Sequence, residues 1–166
     1  AALPLGGVEL YGFGTYTRKL SNNAAGFRLP GFSPVYPNGF LPIIAPRITD
    51  ISATLGVRGT LAGLRADLSQ SYGRNRADFS VYDTANVSLG AASPTRFDSG
   101  GVTYSQYVTD LTLSRALDGI LAGGNIAAGG QYRRERYAIR SGAPAAYFGL
   151  GADGFAGFNP RTPTDE

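Results

Sequence analysis

The chain has 166 residues and a formal net charge of +3, and only 16% of its residues are charged, below the roughly 25% of typical soluble domains. It contains no Cys and no His, which excludes a thiolate nucleophile, an imidazole base and an ordinary zinc site. The small positive charge, without a dense basic cluster, argues against nucleic acid as a partner. The 24 glycines and 10 tyrosines favour strands and loops over helices.

Five segments are predicted to be strands. Most of them alternate apolar and polar residues with a period of two, which separates the two faces of a sheet. In chain order the predicted strands are 8–17, 51–60, 65–75, 105–115 and 125–138. The residues expected on their apolar face, in contact with lipid, are Ile51, Ala53, Leu55, Val57, Leu111, Leu113 and Ile126. No stretch approaches the roughly 18 apolar residues of a membrane-spanning helix, so a membrane would be crossed by strands.

The connections between these strands are alternately short and long. Residues 61–64 form a short turn, whereas long loops are predicted at about 18–50, 73–105 and 139–166. Five prolines between residues 30 and 46 forbid a helix and are expected to interrupt any central strand. Outer-membrane barrels have this alternation of short periplasmic turns and long extracellular loops. The sequence therefore predicts an all-β fold, an antiparallel meander that forms a partial transmembrane β-barrel with long extracellular loops.

Two segments permit a second interpretation. Residues 78–87 contain β-prone side chains and are expected to extend a strand or form a hairpin within the second long loop. Leu113, Leu117, Ile120 and Leu121 lie at helical spacing, which is compatible with a short helix that ends at Gly123. Asp118-Gly119 inside this run favours a turn instead.

The long loops carry side chains suited to holding a ligand. Guanidinium groups bind anions in a bidentate manner, and phenol rings stack on aromatic groups. The candidate ligand-binding residues are Arg28, Tyr36, Arg74, Arg76 and Arg96. The alternative is a polar loop surface that meets anionic headgroups of the outer leaflet or binds nothing. No catalytic residue, metal ligand or cofactor is predicted.

Two further motifs have a chemical interpretation. Residues 148–156 (FGLGADGFA) match most of a calcium-binding nonapeptide, but that motif needs neighbouring copies and a flexible glycine-rich loop explains the match better. Asp78, Asp83 and Asp98 would supply paired carboxylates to a hydrolase, although acidic loop residues usually face solvent.

A series of short strings resembles the barrel region of TonB-dependent outer-membrane receptors. They occur in the same order over nearly the whole chain. The strings are YPNGFLP at 36–42, SYGRN at 71–75 followed by Asp78-Phe79, SLGAASP at 88–94 with Phe97-Asp98 and Gly100-Gly101, YRRE at 132–135 and FAGFNP at 155–160. The plug domain of such receptors is not visible, about five of their 22 strands are present, and residues 161–166 lack a terminal aromatic residue.

The resemblance implies that residues 1–166 are a fragment of a receptor barrel in the cell outer membrane of a Gram-negative bacterium. It implies uptake of a scarce small-molecule or oligosaccharide ligand, such as a ferric siderophore, a vitamin or an oligosaccharide. The implied partners are outer-membrane lipid and, through the missing plug, the TonB complex. The chain is therefore not expected to be an enzyme. The alternative is an autonomous secreted β-sandwich that binds carbohydrate or a protein partner, which should be soluble and monomeric without detergent.

Overall fold

The computed structural model describes residues 1–117 and 123–160. Within these residues the chain forms seven strands, one 3-10 helix at Val87–Ala92 and one single-turn helix, α1, at Pro144–Tyr147. The strands are β1 (Ala2–Leu5), β2 (Val8–Leu20), β3 (Asn23–Ala24), β4 (Ile43–Leu61), β5 (Leu64–Tyr82), β6 (Arg96–Leu117) and β7 (Gly124–Arg140). In this part of the chain, no helix has the length and apolar character needed to cross a membrane.

The strands pair as an antiparallel meander, which confirms the prediction of an all-β antiparallel fold. The order is β1-β2-β4-β5-β6-β7, with β3 paired to β4 beside this path. Two-residue turns with positive φ at both positions connect β1 to β2 through Gly6-Gly7 and β4 to β5 through Ala62-Gly63. Such turns match the right-handed twist of paired strands and fix their register. Among the described residues the path ends at β1 and β7, and these two strands do not pair to close a barrel.

The predicted loops are too long, because five strands continue into them, namely β2, β4, β5, β6 and β7. β4 begins at Ile43, β5 continues to Tyr82 and β6 begins at Arg96, so large parts of 18–50 and 73–105 are strand. The possible strand extension from Asp78 is confirmed as far as Tyr82. The third predicted loop, 139–166, begins after Arg140 and contains α1.

These strands continue through proline and glycine residues, and in each case the local contacts explain why. Pro46 lacks an N–H, but its carbonyl oxygen accepts a hydrogen bond from the Ser21 backbone N–H at 3.3 Å. Gly101 lies so close to the adjacent segment that a Cβ would sit 2.5 Å from the Ala77 carbonyl oxygen. The glycine therefore permits close strand contact at this point of β6.

The helical interpretation of residues 113–121 is wrong where it can be checked, because β6 is extended through Leu117. Residues 118–122, which include the Asp118-Gly119 turn, lie outside the described residues. A strand of this length places alternate side chains on opposite faces, so the leucines at 113 and 117 share a strand face rather than a helix face.

The chain divides into two compact units. Unit 1 consists of Ala1–Thr17, Asp50–Arg74 and Tyr104–Arg136 apart from 118–122, and unit 2 consists of Arg18–Thr49, Asn75–Thr103 and the described residues from 137 onward.

One face of unit 1 is polar and is linked by side-chain hydrogen bonds. The Tyr11 hydroxyl donates to Asp67 at 2.7 Å, and the hydroxyl groups of Thr54 and Ser71 are 2.8 Å apart. Gln131 donates to Asp110 at 2.7 Å. Because side chains alternate along a strand, the residues between these polar positions lie on the opposite face.

The opposite face of unit 1 carries apolar side chains that remain exposed. Leu55 is 70% exposed and Ile126 is 61% exposed, and Ile51, Leu68 and Leu111 are each at least 41% exposed. Large apolar side chains therefore lie on the predicted face, which also carries the hydrogen-bonded side chains of Gln70 and Thr109, 2.6 Å apart.

Unit 2 has a small core beside α1. Phe97, Ala146 and Ala152 are buried together. Asn86 is fully buried, and its amide group donates to the carbonyl oxygens of Ala145 at 2.9 Å and Phe148 at 2.8 Å. These bonds satisfy a buried polar group and attach the connection between β5 and β6 to the segment around α1.

Candidate functional site

Unit 2 contains a cavity of about 630 Å³ whose lining is rich in charged side chains. It lies among residues of β4, β5 and β6, together with the end of β2, the segment that follows it and the end of β7. The charged lining residues are Arg47, Arg76, Arg96, Arg140, Asp78 and Asp98. Its volume is within the range of small-molecule sites.

Two carboxylates hold two of the guanidinium groups in place. Arg76 donates to both oxygens of Asp78, at 2.8 Å from Nε and 3.0 Å from Nη2. Arg140 donates to both oxygens of Asp98, at 2.7 Å from Nη1 and 3.0 Å from Nη2, and its Nη2 also reaches Asp78 at 3.3 Å. Bidentate pairs of this type fix both the position and the plane of the guanidinium group.

Both carboxylates are ionised near neutral pH. Hydrogen bonds from Arg76 lower the pKa of Asp78, and hydrogen bonds from Arg140 lower the pKa of Asp98. A glycosidase pair needs one carboxylic acid that retains its proton. These two aspartates are therefore unsuited to donate a proton, and Asp83, the third acidic candidate, does not line the cavity.

The other two arginines have different surroundings. The guanidinium carbon of Arg96 lies 5.0 Å from the centre of the Tyr82 ring, in a cation–π contact. Arg47 is exposed. In residues 1–117 and 123–160, neither of these arginines forms an ion pair. With four arginines and two ionised aspartates, the charged lining carries a net charge of +2.

The five residues chosen from the sequence are placed differently. Arg76 and Arg96 line the cavity. Arg28 is paired with Asp153, with Nη2 at 2.7 Å from Oδ1 and a further bond from Nε, and it also lies over Phe32. Tyr36 stacks on Phe40, and burial raises its pKa. Arg74 belongs to unit 1 and is not in the cavity lining.

Arg28 and Tyr36 thus have packing roles in the structure. The ion pair of Arg28 joins the segment after β3 to the turn that contains Asp153. Tyr36 packs on Phe40 within the segment between β3 and β4. Sequence analysis missed Arg47 and Arg140 as cavity residues. No local signal identifies them, because Asp98, the partner of Arg140, is 42 positions away.

The calcium motif does not have a free carboxylate. Asp153, its only acidic residue, accepts from Arg28, and the Asp153 backbone carbonyl accepts from the Thr84 hydroxyl at 2.7 Å. Within the described part of the chain, no three acidic residues lie close enough together to hold a metal ion.

A second cavity, of about 610 Å³, lies in unit 1 and differs in charge. Its lining includes Arg58, Arg65, Glu9 and Asp67, so its formal charges balance. Arg58 donates to Glu9 at 2.7 Å, and Asp67 accepts from Tyr11. Its charged groups neutralise one another, which leaves no excess cation for an anionic ligand.

The cavity of unit 2 is therefore the stronger candidate site. Its arginines can hold an anionic group, and its aspartates fix two of these four side chains in place. Comparison of the chain with protein-family models, with curated proteins and with solved structures finds no match.

Proposed function

We propose that this chain forms part of the barrel wall of a TonB-dependent receptor in the outer membrane of a Gram-negative bacterium. The observation that carries the proposal is the division of unit 1 into a polar, hydrogen-bonded face and an exposed apolar face. In a transmembrane barrel the apolar face contacts lipid and the polar face lines the interior.

The exposed apolar face is unfavourable in water. Complete burial of a Leu or Ile side chain stabilises a protein by about 1.5–3 kcal/mol. Leu55 and Ile126 gain little of this, since they are 70% and 61% exposed. Hydrocarbon around this face would supply the missing burial at several positions at once. Single exposed apolar residues are common on soluble proteins, but several large ones on one sheet face indicate an interaction surface.

The polar face of unit 1 is compatible with water. Its hydroxyl, carboxylate and amide groups bond to one another across strands, as in the Thr54–Ser71 and Gln131–Asp110 pairs. No buried side-chain polar atom in the described residues lacks a hydrogen-bond partner. A face of this kind suits a hydrated barrel interior, where the remaining polar groups meet water.

Aromatic residues and strand length also support a barrel wall. The rings of Tyr72 and Tyr107 are 4.7 Å apart, and Tyr107 and Tyr132 are more than half exposed. Tyrosines at this position would form the aromatic girdle that marks the edge of the hydrocarbon. β4 and β5 have 19 residues each, more than the roughly 9–11 that cross a bilayer, so each strand can extend beyond it.

The proposed activity belongs to the receptor as a whole. It is the uptake of a scarce small molecule or oligosaccharide, driven by the TonB complex through a plug domain. In this proposal the chain contributes wall and loop surface and performs no chemical reaction. Uptake that continues at the same rate in cells without a working TonB complex would contradict the transport part of the proposal.

The membrane part can be tested with single cysteines, because the chain has none of its own. Leu111 and Thr112 are adjacent, both exposed, and on opposite faces. Nitroxide labels at Leu111→Cys and Thr112→Cys would be measured in lipid vesicles with oxygen, which is soluble in lipid, and with a water-soluble nickel complex. We expect oxygen to relax the label at 111 and nickel to relax the label at 112. Equal contact of both labels with nickel, from a monomer that is soluble without detergent, would favour a secreted β-sandwich instead.

A further inference from the structure

The cavity of unit 2 has more positive groups than its own carboxylates neutralise. Arg76 and Arg140 are held by Asp78 and Asp98 in a continuous chain of charge-assisted hydrogen bonds. Arg47 and Arg96 are the remaining two cations in the lining. Both aspartates are ionised, so the excess charge is two, which matches a dianion.

The contact with Tyr82 helps to position Arg96. Its guanidinium carbon lies 5.0 Å from the centre of the ring, in a cation–π contact. The guanidinium group has five N–H donors, and in the described residues it forms no ion pair that would occupy them. A guanidinium presented in this way suits a tetrahedral oxyanion, which accepts two parallel hydrogen bonds.

The rest of the lining suits a polar organic group. Ser21, Asn22 and Ser80 are polar residues of this lining. The cavity of about 630 Å³ is much larger than one phosphate needs and falls within the range of whole small-molecule sites. A sugar offers hydroxyl groups that can hydrogen-bond to these polar side chains.

We propose that this cavity binds the phosphate monoester of a sugar, with the phosphate held by Arg47 and Arg96 and the sugar placed among Ser21, Asn22 and Ser80. The phosphorylated sugar is either a soluble ester or the headgroup of a lipid. The proposal does not depend on the receptor function, because a secreted domain with the same unit 2 would have the same cavity.

The test is calorimetric titration of the full 166-residue chain in an uncharged detergent. The titrants are glucose 6-phosphate, inorganic phosphate, glucose and acetate. We expect glucose 6-phosphate to bind most tightly, inorganic phosphate more weakly, and glucose and acetate at least tenfold more weakly than the ester. Equal binding of acetate and glucose 6-phosphate would show only a diffuse positive field and would overturn the proposal.

Variants then locate the binding. Arg47→Gln and Arg96→Gln should each weaken glucose 6-phosphate binding by about tenfold or more, since each removes a charge-assisted contact. Arg136→Gln is the matched control, because Arg136 is exposed and belongs to unit 1. Circular dichroism checks the fold of each variant. Arg47 forms no ion pair in the described residues, so its variant remains informative if Arg96→Gln misfolds.

Two arms distinguish the sources of the phosphate. In the first, glucose 6-phosphate is the soluble probe, and in the second, vesicles carry a lipid with a glucosamine phosphate headgroup. Binding in either arm that depends on Arg47 and Arg96 supports the proposal and identifies the source. A loss of affinity in Arg136→Gln as large as in the two cavity variants, or no binding in either arm, overturns it.

Discussion

Replacement of Leu55 by arginine should have a cost that depends on the medium around the apolar face of unit 1. Leu55 is 70% exposed, so in water the change removes only about a third of the burial of a leucine side chain, or roughly 0.5–1 kcal/mol. If the side chain faces hydrocarbon near the middle of a bilayer, the same change should cost about 2–4 kcal/mol. The difference between these two values is large enough to measure.

The assay is a urea titration of the folded protein in lipid vesicles, followed by circular dichroism. Thr112→Arg is the control, because Thr112 is exposed on the polar face. We expect a large loss of stability for Leu55→Arg and a much smaller one for Thr112→Arg. Equal costs for the two variants would refute the assignment of the faces, and a cost below about 1 kcal/mol for Leu55→Arg would refute contact with hydrocarbon.

Two further predictions concern the ion pairs of unit 2. Asp78→Asn should lower the free energy of unfolding by about 1–2 kcal/mol, because Arg76 and Arg140 lose a shared anion while both remain about half exposed to water. Asp83→Asn, an exposed position whose positive φ asparagine tolerates, should change stability little in the same urea titration. The lowered pKa values of Asp78 and Asp98 predict a contribution to stability that is complete above the unfolded pKa of about 4 and is lost as pH falls through the folded values. Acid titration monitored by circular dichroism should show a smaller loss of stability below pH about 4 in Asp78→Asn than in the unaltered chain. The same acid profile in both proteins would contradict the stabilising role of the Asp78 ion pairs.

The strands were predictable where a local pattern determines them. Residues 51–57 alternate so regularly that the faces of β4 follow from the sequence, and the bond between Thr54 and Ser71 agrees with that assignment. A short turn was predicted at residues 61–64, and it forms at Ala62-Gly63. Both features depend on residues close together in the chain.

The strand ends were not predictable, since they depend on partners distant in sequence. Pro46 would end a strand that needed its N–H, but only its carbonyl oxygen is required here, by Ser21. Gly100 and Gly101 were expected to mark a loop, yet in β6 the lack of a Cβ at Gly101 allows close approach to Ala77. Local rules correctly describe proline and glycine as residues that disfavour strands. They do not show the contacts with distant residues that accommodate them here.

The candidate site was predictable only in part, for the same reason. Arginines in polar segments suggest anion binding, and two of the chosen residues, Arg76 and Arg96, line the cavity of unit 2. Whether an arginine is free for a ligand depends on which carboxylate folding brings near. Arg28 meets Asp153 from 125 positions away, whereas Arg96 meets the ring of Tyr82. Pairing over such distances leaves no signal in a single sequence.

The unpaired edge strands and the exposed apolar face of the sheet both need a partner that covers them. β7 is exposed along nearly all of its 17 residues, and in the described chain it pairs on one side only, with β6. An exposed edge of this length is a template for pairing with another strand. Packing a second sheet on the apolar face would bury Leu55 and Ile126 but would leave the edge open. Closure within a larger barrel in a membrane pairs the edge and covers the apolar face together, and for that reason we favour the barrel wall over the sandwich.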